Sequence, residues 1–177
     1  MNTLLRSVLL ALLVAALPFA VRAQSKVGTT AAQFLGIGVG PRAVAMGGAY
    51  VAMGDDASAM YWNPGGLSRI GHSQVVASHT GWLVDTDLNW VGLTLALDAS
   101  NAIGISLTQL DYGEEKVRTV VMPEGTGARW TAQDLAFTIT YARSLTDRFS
   151  IGGSFKYITQ QIWNESASTI AFDVGLM

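Results

Sequence analysis

Residues 134–143 read DLAFTITYAR, and this stretch indicates the fold class. Large apolar side chains occupy every second position, and small or polar side chains fill most of the positions between them. Because successive side chains of a β-strand point to opposite faces, the stretch predicts a strand with one apolar face and one small or polar face. The large residues are Leu135, Phe137, Ile139 and Tyr141.

The same alternation recurs through the second part of the chain. It continues almost without interruption from residue 73 onward, although its first segment is weaker. Together with the stretch quoted above, the pattern predicts an all-β fold of six antiparallel strands. The other predicted strands are Ser73–Trp82, Asn89–Asp98, Ala102–Leu110, Arg148–Tyr157 and Ser168–Leu176.

Two architectures produce such strands, a secreted antiparallel sandwich and a transmembrane β-barrel. The predicted strands run to about ten residues, the length that a tilted membrane strand needs, whereas strands of globular proteins average about five or six. The face opposite the large residues carries Gly, Ala, Ser and Thr with scattered charge at Lys156 and Asp173, which suits a crowded barrel interior. Aromatic residues near segment ends suit interfacial girdles, although each alone could equally be a core residue. They are Trp82, Trp90, Tyr112, Trp130 and Trp163.

The strand count is too small for a closed barrel. Single-chain barrels begin at about eight strands, and an open edge in lipid leaves costly unpaired backbone groups. We therefore expect the chain to be the N-terminal part of a longer barrel, the alternative being several chains that share one barrel. Short connections at 98–101 and 144–147 alternate with longer ones at 83–87, 113–131 and 162–167, as periplasmic turns alternate with extracellular loops.

The composition excludes several classes of protein. The 177 residues are 50% hydrophobic and 14% charged, and the net charge of −2 offers no basic surface for nucleic acid. The chain has no Cys, which excludes disulfide frameworks, thiol catalysis and cysteine-based zinc sites.

The N-terminus has the features of a secretory signal peptide. Arg6 is followed by an apolar run over residues 7–17, and Val21-Arg22-Ala23 offers small residues at a cleavage site. An uncleaved anchor helix is the alternative, but the run is short for a membrane span. We predict a signal peptide at 1–23, a separate Gly-rich N-terminal segment at 24–71 and barrel strands at 72–177, in the outer membrane of a Gram-negative bacterium.

The segment at residues 28–68 is rich in Gly and Ala and lacks period-two alternation. In order it contains FL at 34–35, GVG at 38–40, RA at 42–43, MGGAY at 46–50, DDA at 55–57 and YWNP at 61–64. This ordered combination resembles the N-terminus of the PorV/PorQ family of outer-membrane proteins, which is similar to the FadL transporter barrels.

The resemblance implies a 14-stranded transmembrane β-barrel whose Gly-rich N-terminal segment forms a plug inside it. This chain would then supply the plug and the first six strands. Family members include components of the type IX secretion system, so the resemblance implies binding of secretion-system proteins or secreted cargo. The alternative implied by the FadL likeness is transport of hydrophobic small molecules through the barrel. Membrane lipid is a partner in both cases.

Eight residues of the plug motif are candidate structural or gating residues. Asp55 and Asp56 need partners inside a barrel, and Arg42, Arg69 and Lys156 are the cationic candidates. Asn63 and Pro64 begin a turn. The eight residues are Arg42, Gly47, Gly48, Tyr50, Asp55, Asp56, Asn63 and Pro64.

The sequence contains no convincing pattern for chemistry. The GIGVG stretch at 36–40 lacks the spacing and the Lys of a phosphate loop, and the Asp55-Asp56 pair lacks the spacing of a calcium loop. His72 and His79 have no evident third metal ligand. We predict no catalytic, cofactor-binding or metal-binding residue and no enzymatic activity, and a secreted β-sandwich without enzymatic activity is the third functional alternative.

Overall fold

The computed structural model describes residues 31–177, which form one six-stranded sheet and an irregular N-terminal segment. Each strand pairs antiparallel with the next, so the sheet order follows the chain. The predicted all-β fold of six antiparallel strands is therefore confirmed, whereas the predicted signal peptide lies outside the described residues. The strands are β1 (Gln74–Gly81), β2 (Asp87–Ala96), β3 (Asn101–Lys116), β4 (Arg129–Thr146), β5 (Phe149–Ile162) and β6 (Glu165–Leu176).

The sheet is not closed. β1 and β6 form its two edges, and they do not pair with each other. This agrees with the expectation that six strands are too few to form a closed barrel.

Large apolar side chains occupy the exposed face of the sheet, which we call the outer face. Phe137 and Ile139 are each 42% exposed, and Val174 on β6 is 78% exposed. The residues between them are buried, as Thr138 and Thr140 show. The distribution is the reverse of that in a water-soluble sheet, in which the large apolar residues are buried.

The opposite face, here the inner face, is covered by residues 32–70. The segment contributes Phe34, Met60 and Leu67 to the buried core, and the sheet contributes Leu88, Trp90 and Ile158 among others. The inner face otherwise consists mostly of Gly, Ala, Ser and Thr, so the backbone of the segment lies close to the strands.

The N-terminal segment contains two short helices and two 3₁₀ turns. The helices are α1 (Pro41–Ala45) and α2 (Ala59–Trp62), and the 3₁₀ turns are Gln33–Gly36 and Pro64–Arg69. A further 3₁₀ turn, Leu83–Asp85, lies between β1 and β2. None of the helices within residues 31–177 is long and apolar enough to cross a membrane.

Two connections differ from the sequence prediction. β5 and β6 are joined by Trp163-Asn164 alone, so the predicted longer connection over 162–167 is wrong. The loop predicted at 113–131 is also shorter, because β3 and β4 continue to Lys116 and Arg129. In both hairpins the backbone ladder continues after the side-chain alternation has ended, since ladder hydrogen bonds do not require alternating polarity.

Glycine in β5 allows the backbone of the N-terminal segment to lie directly against that strand. A Cβ at Gly152 would overlap the backbone of Pro64 and Gly65, which could give way only if the segment moved. Gly153, the next residue, faces the other way, and its Cβ would meet no atom closer than the Asp173 carbonyl oxygen at 3.6 Å. Glycine is therefore required at Gly152 for close approach but not at Gly153.

Gly152→Ala should destabilise the protein by about 1–3 kcal/mol, because overpacking forces the backbone of the segment off the sheet. The matched variant Gly153→Ala should be nearly neutral, since its Cβ has space. Thermal unfolding, together with limited proteolysis of residues 41–66, measures both effects. Equal behaviour of the two variants would contradict the close packing described here.

Candidate functional site

The candidate motif begins with α1 and the glycine turn that ends it. The Gly48 N–H donates to the Ala43 carbonyl and the Gly47 N–H donates to the Val44 carbonyl, each at 2.9 Å. This is the hydrogen-bond pattern of a Schellman cap. Gly47 and Gly48 have φ values of 65° and 80°, a region that L side chains rarely adopt, so the turn requires glycine. The turn directs the chain from α1 back to Tyr50.

Tyr50 lies at the centre of a hydrogen-bonded network. Its side chain is 1% exposed, and its hydroxyl lies 2.7 Å from Asp55 Oδ1 and 3.0 Å from Asp56 Oδ2. Arg42 Nη1 donates to Asp55 Oδ2 at 2.6 Å, and the guanidinium lies 5.7 Å from the centre of the Tyr50 ring. Asp56 Oδ1 accepts from the backbone N–H of Ser58 at 2.7 Å.

The network therefore brings arginine, tyrosine and aspartate side chains of the candidate motif into contact. Arg42, Tyr50 and both carboxylates meet, and Asp56 also closes the turn that precedes α2. Arg42 and Asp55 are about half exposed, so we assign this ion pair a positioning role rather than a large share of the stability.

The surroundings change the acidity of these groups. Burial, followed by the hydrogen bonds to Asp55 and Asp56, raises the pKa of Tyr50 well above its ordinary value. The Tyr50 hydroxyl and then Arg42 hold the pKa of the Asp55 carboxyl below its ordinary value. The Asp55 carboxylate, first through its hydrogen bond, raises the pKa of Arg42. At neutral pH Asp55 is ionised and Tyr50 is protonated.

The two aromatic residues before Asn63 were not among the candidate site residues, yet they hold the start of the segment. The Tyr61 hydroxyl lies 2.6 Å from the Leu35 carbonyl oxygen and 2.8 Å from that of Ile37. Trp62 Nε1 donates to the Val39 carbonyl at 2.9 Å. Burial raises the pKa of Tyr61 to about 12. An aromatic pair with donor groups inside a Gly-rich stretch was the available signal for this role.

Asn63 connects the segment to β6. Its amide nitrogen donates to the carbonyls of Val51 and Leu176, each at 2.9 Å, and its side-chain oxygen accepts from the Gly65 N–H at 3.1 Å. Pro64 occupies the first turn of the following 3₁₀ helix, where the missing N–H of proline costs no hydrogen bond. Asn63 thus satisfies backbone groups from three parts of the chain at once.

Two of the three cationic candidates lie elsewhere. Lys156 pairs with Asp173 on the neighbouring strand at 2.6 Å. Arg69 donates from Nε to Ser150 Oγ at 3.1 Å and from Nη2 to the Met177 carbonyl at 3.1 Å. Of the cationic candidates, Arg42 is the one paired with Asp55, because the turn at Gly47 and Gly48 places α1 beside the acidic pair.

The motif is suited to holding backbone in place. Its polar side chains bond to one another or to main-chain groups, and across residues 31–177 no group of three or more His, Asp or Glu side chains is arranged to hold a metal ion. The arrangement clamps the segment at α1, at the start of α2 and at the Asn63 turn.

Asp55→Asn should destabilise the protein at pH 7, and the difference from the unchanged protein should vanish in acid. Because the folded-state pKa of Asp55 is depressed, its stabilisation is present above the ordinary value of 3.8 and is lost as pH falls through the lower folded-state value. Melting temperatures measured from pH 7 to pH 2.5 test this. Glu124→Gln in the β3–β4 loop is the control, and a pH-independent difference for Asp55→Asn would contradict the network.

A comparison with protein families matches residues 20–175 to the type IX secretion system protein PorV. Neither the curated proteins nor the solved structures contain a significant match. The family match spans the Gly-rich segment, including the whole candidate motif, and nearly all of the six strands. The chain therefore belongs to the PorV family of type IX secretion system proteins.

Proposed function

We propose that this secretion-associated protein is an outer-membrane β-barrel that acts by binding proteins of the secretion system or its cargo, and not by catalysis. In this proposal residues 1–23 are a signal peptide, residues 24–71 form a plug, and residues 72–177 supply the first six strands of a 14-stranded barrel similar to FadL. Family membership supports the link to type IX secretion.

The outer face of the sheet supports the membrane location. Phe137, Phe155, Phe172 and Val174 are among its large apolar side chains, and each is between 38% and 78% exposed. A continuous apolar face of this extent marks contact with lipid or protein, because water-soluble proteins rarely expose one. The open edges β1 and β6 would need further strands in hydrocarbon, where unpaired backbone groups are costly.

Phe137→Arg should destabilise the folded protein by about 2–4 kcal/mol if the middle of the outer face meets hydrocarbon. Gln133→Arg is the matched control on the same strand and the same face, four residues nearer the polar end, where the expected cost falls to about 0–1 kcal/mol. Reversible unfolding of the protein in lipid bilayers measures both. A neutral Phe137→Arg would contradict the lipid-facing assignment.

The tip of the β3–β4 hairpin supports the proposal that the protein binds other proteins. The connection at 117–128 places Val120, Val121 and Met122 in solvent, with exposures of 102%, 86% and 53%. The backbone bond from the Val117 N–H to the Ala128 carbonyl, 2.9 Å, continues the hairpin beyond its last ladder pair. Exposed apolar residues on a supported tip are a docking element for another protein.

The double variant Val120→Ser/Val121→Ser should reduce binding to the outer-membrane components of the secretion system, because it removes the apolar contact. Leu145→Ser is the control, since Leu145 is 52% exposed at the opposite end of β4. Quantitative co-purification of the outer-membrane components of the secretion system measures the effect. Unchanged binding by the double variant would refute the role of the tip.

Transport of hydrophobic molecules is the second candidate function. A cavity of about 450 Å³ between the segment and the sheet is lined by Phe34, Ile37, Trp82 and Leu110 among others, which is the size and lining of a small-molecule site. Uptake of a labelled hydrophobic compound, compared between cells with and without the protein, tests this candidate separately from partner binding.

A further inference from the structure

A β-bulge in β3 lies beside a group of side chains that the plug motif does not use. The β3–β4 register shifts between Asp111 and Glu114, so that Tyr112 and Gly113 together oppose a single residue of β4. Gly113 has a φ of 70°. Beyond the bulge Glu115 is paired with Trp130 and both residues line the same cavity, whereas Glu114 pairs with Arg129 at 2.9 Å. Bulges of this kind commonly redirect side chains next to functional sites.

The bulge brings Tyr112 to a buried carboxylate. The Tyr112 hydroxyl donates to Asp134 Oδ2 at 2.9 Å, and Asp134 is 5% exposed. Among residues 31–177 no Lys, Arg or His forms an ion pair with Asp134. A carboxylate removed from water in this way is expensive unless a positive charge or several donors compensate it.

Asp134 opens onto a cavity of about 510 Å³ on the inner face. The cavity is lined by Tyr112, Trp130, Gln160, Ile162 and Glu165 among others. A second cavity of about 450 Å³ shares Tyr112 and Trp130 and adds Glu115. The described residues that line the two cavities include three carboxylates and no basic side chain.

The lining selects the charge of a ligand. Aromatic faces attract cations, and a desolvated carboxylate forms its strongest hydrogen bonds with charged donors. An alkyl carboxylate of the same size would meet Asp134 and Glu165 as like charges, so the site disfavours fatty-acid anions. The volume accommodates an organic body as well as the charged group.

We infer that the cavity of about 510 Å³ beside Asp134 binds an organic cation, an ammonium or guanidinium group on an apolar stem. Asp134 is its counter-ion, and Tyr112 and Trp130 are its aromatic walls. Gln160 adds a neutral amide to the lining, and its side-chain oxygen accepts from the Ala32 N–H at 3.1 Å. The inference goes beyond the proposed function, because it depends on this cavity and not on the hairpin tip or on any particular secretion partner.

Isothermal titration of the intact protein in a neutral detergent tests the inference, with hexylguanidinium as the probe and hexanoate and hexanol as matched anionic and neutral probes. Hexylguanidinium should bind at least about tenfold more tightly than hexanol, and hexanoate should not bind measurably. Asp134→Asn should weaken hexylguanidinium binding by about tenfold or more, because the charge is lost while an acceptor for Tyr112 remains.

A carboxylate variant on the neighbouring strand β3 provides the control. Glu114→Gln should leave hexylguanidinium binding unchanged, because Glu114 pairs with Arg129. Far-ultraviolet circular dichroism and the melting temperature establish that each variant is folded. Equal affinity for hexanoate and hexylguanidinium, or unchanged binding by folded Asp134→Asn, would overturn the inference.

A further titration distinguishes the source of the cation. Acetyl-Gly-Arg-Gly-amide and hexylguanidinium carry the same charged group on a peptide and on a free alkyl chain. Tighter binding of the peptide supports an arginine side chain of a bound polypeptide as the ligand, and tighter binding of hexylguanidinium supports a small molecule. Failure of both probes would overturn the inference and would leave partner binding through the hairpin tip unaffected.

Discussion

The close approach of the N-terminal segment to β5 and β6 is the constraint on which the rest of the structure depends. Gly152 and Gly175 present bare backbone to Asn63, Pro64 and Gly65, and side chains at either glycine would overlap that turn. The inner face beside this turn therefore requires residues without side chains. Most of the large apolar side chains of β5 and β6 lie on the other face, where they are exposed. The bare backbone at Gly152 and Gly175 and the clamped segment are thus two sides of the same packing.

The fold was largely predictable because side-chain alternation is a property of adjacent residues. The stretch around Phe137 and Ile139 alternates large and small residues with the period of a strand. The structure places the large residues on one face and the small residues on the other, as expected. Hairpin lengths were less predictable. At Tyr112 the bulge breaks the period of two while pairing continues, and the Trp163-Asn164 turn depends on a left-handed residue, φ 55°, that no Gly marks.

The candidate motif was predictable in membership but not in detail. The ordered sequence that includes Arg42, Asp55 and Asn63 indicated a segment in which the structure brings Arg42 and Asp55 together. The partner of Asp55 could not be chosen from sequence, because Arg42 and Arg69 lie at nearly equal chain distances on either side of it, and Lys156 lies on a strand whose position relative to the segment no pattern fixes. The pairing of Lys156 with Asp173 depends on the β5–β6 register, which side-chain patterns leave undetermined.

The hydrogen bond from Asn63 to the Leu176 carbonyl has a consequence for the order of folding. The two residues are separated by 113 positions, and the bond from Ser150 to the Gly65 carbonyl spans 85. Contacts between residues so far apart form slowly, because the intervening chain must first lose its freedom. The segment made first is therefore the segment fixed last, since its docking surface does not exist until β5 and β6 have paired. Until β5 and β6 have paired, the Asn63 side chain and the Gly65 carbonyl have no partners on the sheet.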